Sequence, residues 1–259
     1  MMDAQQYRHL RLESDGALRR LVLSRPPLNI LDIEMLVELD AALSWIQEDP
    51  GAAVLLVASN VKAFSAGVDV ADHTEDKVEE MIRSLHAALI RLSSLEMPVV
   101  AAVNGAALGG GLEVALACDI VLARDGAKLG QPEIQLGVFP PFAAAVLPRL
   151  VGRGRALDLC LTGRTVTAAE ALQMGLVQHV FAQGTFVEDV EAFASSLATL
   201  SRPVLRLAKR AIVEGLDAPA GEALHAAERI YLDDLMELDD AREGLAAFME
   251  KRPPSWKGT

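Results

Sequence analysis

Leu18, Leu21, Val22 and Leu23 form a short apolar run that stops at Ser24-Arg25-Pro26-Pro27, which predicts a strand and its end. Asp32 is placed to cap the next helix, and Glu34 favours the positive end of that helix from its first turn. Leu36, Leu39, Leu43 and Ile46 then recur at helical spacing until Asp49-Pro50-Gly51. Residues 53–58 are apolar without interruption, the pattern of a strand covered on both faces. Val78, Met81, Ile82, Leu85, Leu89 and Leu92 give a second amphipathic helix; residues 98–103 and 119–123 supply two more buried strands. Strands alternating with helices require parallel crossovers, so the core is predicted to be α/β. Beyond about residue 185 strand signals cease. Val204, Leu207, Ala208 and Ile212, then Leu224, Ala227, Tyr231 and Leu235, then Leu245, Ala246 and Phe248 read as helices.

Composition narrows the classes. The 259 residues are 51% hydrophobic and 23% charged, enough apolar surface for a sizeable core. A net charge of −12 with no basic run disfavours nucleic acid, whose binding requires clustered cations to displace counterions. The chain has two cysteines, Cys118 and Cys160, both in apolar surroundings, which reads as buried thiols in a reducing compartment. No zinc spacing occurs, and none of the five histidines pairs at i and i+4. The first nine residues hold no apolar leader-like run, and the apolar tract 99–117 is interrupted by Asn104, glycines and Glu113. A cytoplasmic location without a membrane span is expected.

Candidate chemistry sits in two glycine-bearing turns, Phe64-Ser65-Ala66-Gly67-Val68-Asp69 and Asn104-Gly105-Ala106-Ala107-Leu108-Gly109-Gly110-Gly111-Leu112-Glu113, and in Gly130-Gln131-Pro132-Glu133. Three glycines before a helix-like run either allow close helix–sheet packing or bare a backbone N–H to a ligand. Glu113 can serve the helix dipole or do acid–base work, and Glu133 can be an exposed turn residue or its partner. A carbonyl oxygen that becomes an enolate needs the donors, and chemistry at the adjacent carbons needs an acid and a base.

In their order and separation these segments, with Cys118-Asp119-Ile120 and residues 130–137, resemble the enoyl-CoA hydratase/isomerase (crotonase) superfamily from about Leu21 to Arg252. The resemblance implies an α/β fold, a spiral of ββα units with a helical C-terminal region. Residues 1–200 would form the spiral core with the active site and residues 201–259 a trimerisation region, without autonomous domains. It further implies backbone donors at Val68 and Gly110, and catalytic carboxylates at Glu113 and Glu133. Glu113 is assigned to water activation and Glu133 to proton delivery. Lys62, Ala66, Phe248 and Lys251 match positions that contact coenzyme A, the last two often from a neighbouring subunit; a further lysine common in relatives is replaced by Ala71. The substrate implied is an acyl-CoA, coenzyme A being part of it, with no separate cofactor and no metal, and the assembly a homotrimer or dimer of trimers.

After Glu133, Phe139-Pro140-Pro141 replaces the Pro-Gly turn of many straight-chain hydratases and predicts a stiff apolar acyl wall. With Pro26-Pro27-Leu28-Asn29-Ile30-Leu31-Asp32 it resembles the cyclohexa-1,5-diene-1-carbonyl-CoA hydratases of anaerobic aromatic-acid degradation. The alternatives are a generic enoyl-CoA hydratase or isomerase, a CoA thioester hydrolase, and a non-enzymatic RNA-binding relative. Ser65, His73 and Asp69 contain the residue types of a hydrolase triad but not a nucleophile elbow. Gly152-Arg153-Gly154 lacks the third glycine of a dinucleotide fingerprint, and His86 reads as structural within its helix.

Overall fold

The computed structural model describes residues 7–259, so most of the N-terminal stretch without a leader-like run lies outside the described residues. Asp32 Oδ1 accepts the Met35 N–H at 2.9 Å and starts α1 (Ile33–Gln47), whose Met35, Leu36, Leu39, Ala42, Leu43 and Ile46 are buried. Each such leucine contributes on the order of 2 kcal/mol by leaving water. α2 (Val78–Ser94) buries Met81, Leu85, Ala88, Leu89 and Leu92 and packs along α1.

The strands β2 (Leu18–Leu23), β3 (Val54–Ser59), β4 (Val99–Val103), β6 (Ile120–Arg124) and β9 (His179–Phe181) form a parallel run, with Leu21 opposite Val57, Leu56 opposite Val100, and Ala101 opposite Val121. Alternate residues serve two cores. Leu55, Val57, Val99 and Ala101 join the core that contains α1 and α2; Val54, Leu56, Val100 and Ala102 pack with Phe186, Val190 and Ala194 of α7 (Phe186–Ala198). Coverage on both faces explains the uninterrupted apolar runs. Two strands of this sheet were not foreseen: β9, only three residues long, and β1 (Leu10–Asp15), which pairs antiparallel with β2 at the sheet edge and whose Leu-Arg-Leu-Glu-Ser-Asp pattern is mostly exposed.

A second, smaller layer contains β5 (Ala107–Leu108), β7 (Lys128–Gly130) and β8 (Thr165–Thr167). Isolated bridges from Leu31 to Val68 and from Ser65 to Ala107 extend it. Each circuit of the chain therefore takes a strand in the large sheet, a short pairing in the small layer, and a helix, which is the ββα spiral. The short pairings escaped detection because two or three residues carry no periodicity.

After α3 (Gly110–Leu116), α4 (Pro141–Val151), α5 (Arg153–Thr162) and α6 (Ala168–Met174), the chain ends in α8 (Arg202–Gly215), α9 (Ala220–Arg229) and α10 (Asp239–Glu250). The pattern Leu224 to Leu235 is not one helix: α9 ends at Arg229, and a wider turn at Ile230–Asp234 precedes a 3-10 turn at Leu235–Glu237. Cys118 and Cys160 are half-buried, not buried, and unpaired. Among the described residues no helix is long and apolar enough to cross a membrane.

Candidate active site

β3 runs into Ala63, Phe64 and Ser65, all buried, where Ser65 crosses β5: its N–H donates to Ala106 O at 3.1 Å and its carbonyl accepts from Leu108 N–H at 3.0 Å. Asn29, itself buried, pins the crossing by donating to Phe64 O and Ser59 Oγ, each at 2.9 Å. Ser65 Oγ donates to Asn29 O at 2.7 Å, so the serine is a strut and not a nucleophile. The next bridge uses Gly67 O and Asp69 N–H against Leu31, which leaves the Val68 N–H on the opposite side. Gly109 N–H is held by Gly130 O at 3.0 Å, whereas Gly110 N–H opens α3, where no preceding carbonyl reaches it. Neither Val68 N–H nor Gly110 N–H has an acceptor among the described residues.

The glycines bring these amides together. A Cβ on Gly110 would lie 2.5 Å from Val68 Cγ2 and 3.6 Å from Val68 N. Gly109 has φ +53°, and a Cβ there would lie 2.6 Å from Glu133 Oε1. A side chain on Gly111 would strike Ser65. Tight packing and ligand exposure, alternatives in the sequence, thus both apply, at different glycines of the same run.

Glu113 lies in the first turn of α3, 2% exposed, and its Oε1 accepts the Ala143 N–H of α4 at 2.8 Å. Burial pushes its pKa up to about 7; the Ala143 N–H opposes that rise and the charge of Glu133 adds to it. Glu133 lies on the single 3-10 turn Pro132–Leu136 and is half-buried. Burial raises its pKa too, against its own backbone N–H. Gln131 is fully buried beside it. With its nitrogen turned to the carboxylate, which can only accept when ionised, Gln131 donates to both Glu133 oxygens at 3.1 Å and to Gly109 O at 3.3 Å. Below about pH 7 Glu113 therefore keeps its proton. Water activation by Glu113 requires a higher pH or a ligand that shifts the proton.

Both carboxylates face one cleft of about 190 Å3, together with Ala66, Val68 and Gly110. Phe139, Pro140 and Pro141 line it, as do Val78, Met81, Ile82 and Leu85 of α2. The α2 residues had no functional signal in the sequence, because a stripe at helical spacing reads as core. Lys62, Phe248 and Lys251 are exposed and do not line the cleft; within a single chain they are not brought to it. Asp69, His73 and Ser65 make no triad: the Asp69 carboxylate accepts the Ala71 N–H at 3.0 Å, and only its main-chain oxygen meets His73 Nδ1, at 3.1 Å. Among the described residues one group of three metal-ligand types, His9, Asp32 and Glu34, lies outside the cleft lining. Arg25 already neutralises Asp32 at 2.5 Å and Arg8 neutralises Glu34 at 3.0 Å, which leaves little attraction for a cation.

The profile of the enoyl-CoA hydratase/isomerase family matches residues 13–259. The chain belongs to this family. As a member of the enoyl-CoA hydratase/isomerase family it is an enzyme of the hydro-lyase type. It is 39% identical over 246 residues to a cyclohexa-1,5-dienecarbonyl-CoA hydratase of Thauera aromatica, covering 95% of each chain. It is 37% identical over 254 residues to a probable enoyl-CoA hydratase of Rhizobium meliloti (strain 1021), covering 97% of this chain and 98% of the other. The solved structure of an enoyl-CoA hydratase from Bacillus anthracis superposes with a TM-score of 0.93 at 33% identity, over 97% of this chain and all of that one. The spiral is thus the crotonase fold of the family.

Proposed function

We propose that the chain hydrates cyclohexa-1,5-diene-1-carbonyl-CoA to 6-hydroxycyclohex-1-ene-1-carbonyl-CoA, a step of anaerobic aromatic-acid degradation in the cytoplasm. The observation that carries the hydratase reading is the meeting of two carboxylates and two unpaired amides in one apolar cleft. Val68 and Gly110 N–H hold the thioester oxygen as it gains charge. Glu113, ionised above about pH 7, takes a proton from water while hydroxide adds to the β carbon. With a simple enoyl thioester, Glu133 then protonates the α carbon. With the cyclic diene the enolate is conjugated to the second double bond and is protonated at its far end, a 1,4-addition.

Two features favour the cyclic substrate. Pro140 is buried and Pro141 opens α4, so the acyl wall is stiff, and the relative from Thauera aromatica bears that activity in its name. The second reading, a generic enoyl-CoA hydratase, is favoured by the relative from Rhizobium meliloti. Coenzyme A enters as part of the substrate and no separate cofactor takes part. Turnover of crotonyl-CoA and of the cyclic dienoyl-CoA by the purified protein separates the readings: rapid hydration of the first and none of the second leaves only the generic one.

We further infer a homotrimer or a dimer of trimers, with residues 201–259 making its contacts. α8 and α9 are amphipathic yet bury no residue within the chain, and Ile212, Val213, Leu216 and Leu224 are exposed. In such an assembly Lys62 would lie near the nucleotide, and Phe248 and Lys251 would reach a neighbour's substrate. Sedimentation at the mass of a single chain would remove this part of the reading.

A further inference from the structure

Of the side chains that line the cleft, three carry an ionisable group: Glu113, Glu133 and His73. The scheme above uses the two glutamates and leaves the histidine without a task. His73 is half-buried and follows the 3-10 turn Val70–Asp72, which comes directly after the loop that carries the Val68 donor. That turn is braced at both ends. Asp69 caps it, and the Asp72 carboxylate accepts from Ile33 N–H and from Lys77 Nζ, each at 3.2 Å. The ring is oriented as well. Asp69 O can only accept, so His73 Nδ1 carries the hydrogen of their 3.1 Å bond, and Nε2 has no partner among the described residues. Val70, Val78 and Ile82, which line the same cleft, are apolar.

Resting on the cyclic-diene reading, we propose that His73 is the acid that protonates the far end of the dienolate. In 1,4-addition the new C–H bond forms at the ring carbon para to the one that receives hydroxide, roughly 3 Å beyond it by the bond lengths of a six-membered ring. Glu113 reaches the cleft from α3 and His73 from the end of the turn Val70–Asp72, so the two groups come to it from separate elements. The protons balance. Water gives one proton to Glu113 and its oxygen forms the C–O bond; the displaced π pair moves onto the thioester oxygen and, through conjugation, to the far carbon. That pair takes the Nε2 proton of the imidazolium and leaves neutral imidazole, whose Nδ1–H stays on Asp69 O. Glu113 releases its proton to solvent and the imidazole recovers one from it. Without His73 the remaining acid, Glu133, serves the α carbon, so the addition becomes 1,2.

The test compares the wild-type protein with His73→Gln and His73→Ala, using crotonyl-CoA and cyclohexa-1,5-diene-1-carbonyl-CoA and reading product regiochemistry by NMR. Loss of a positioned acid should lower diene hydration about 100-fold or more, a far larger loss than the same variants suffer on crotonyl-CoA. Residual diene product should shift to the adduct protonated at the carbon bearing the thioester, and added imidazole should restore part of the 1,4-product in His73→Ala. Variants that hydrate the diene at the wild-type rate and with wild-type regiochemistry would overturn the role. So would an equal loss on both substrates without imidazole rescue, which marks a structural residue. A wild-type protein active on crotonyl-CoA but inert to the diene overturns instead the substrate reading and removes the role with it.

Discussion

The two walls of the cleft present the same functional group in different ways. Glu113 stands on α3, inside the core, and its carboxylate is held by a backbone N–H from α4. Glu133 stands on one 3-10 turn at the surface side, and its carboxylate is held by the side chain of Gln131. On the first wall the fold itself sets the charge state, through burial and a main-chain N–H that a change of side chain short of proline leaves in place. On the second a single replaceable amide sets it. Unlike environments separate the two titrations of such a pair.

Removing either carboxylate tests whether both walls are needed. Glu113→Gln and Glu133→Gln should each lower kcat for crotonyl-CoA hydration by about 10²–10⁴ with KM little changed. If Glu133→Gln retains near wild-type hydration, the two walls do not share the chemistry and the comparison fails. The next largest effect belongs to the turn between the walls. Gly110→Val places branched carbons where Val68 Cγ2 lies 2.5 Å from the first added atom, and it should cost about 10²–10³ in kcat through displacement of a donor. Thermal melting of the same variant separates that loss from unfolding, since a protein that melts normally and turns over normally would dissociate Gly110 from the oxyanion.

The α3 wall was legible in the sequence and the Glu133 wall only in part. Residues 99–103 and 110–116 announce themselves by an unbroken apolar strand followed by glycines and a carboxylate, because a two-sided core demands such a pattern. Glu133 was found by resemblance alone: a five-residue 3-10 turn has no period, and Gln131 looks like any polar residue until its burial is known. The α2 lining was hidden inside a stripe that reads as core, and β5, β7 and β8 were too short to register. In the C-terminal helices the amphipathic pattern was visible, but it does not say whether an apolar face meets its own chain or another; here α8 and α9 leave no residue fully buried, although Leu205 packs against the sheet core.

Stability against pH sharpens the contrast at a smaller scale. The folded-state pKa of Glu113 is about 7 against an ordinary 4.5, so the folded protein binds this proton more tightly than the unfolded chain. Below pH 4.5 both states are protonated and nothing is lost. As pH rises from 4.5 to 7 the unfolded chain ionises first, and folding stability falls by on the order of 3 kcal/mol in total, complete above pH 7. Glu113→Gln lacks this loss, so it should gain on wild type steadily between pH 4.5 and 7 and unfold at higher urea at pH 8. Parallel pH curves for the two proteins would show that burial of Glu113 carries no such penalty.

Gln131→Leu should give the smallest effect and bears directly on the second wall. Leucine keeps the volume but removes the two donors at 3.1 Å that favour the ionised form of Glu133. The Glu133 pKa, already raised by burial, should rise further, because the charged state loses its partners while the neutral state loses little. The limb of the kcat/KM profile that reports Glu133 should then move to higher pH, with kcat at the optimum falling about tenfold as the carboxylate loses its fixed orientation. A merely structural glutamine would lower the melting temperature without moving that limb. The Glu113 wall provides the control: its Ala143 N–H is untouched by the substitution, so the pH dependence of stability assigned to Glu113 should stay where it is in wild type.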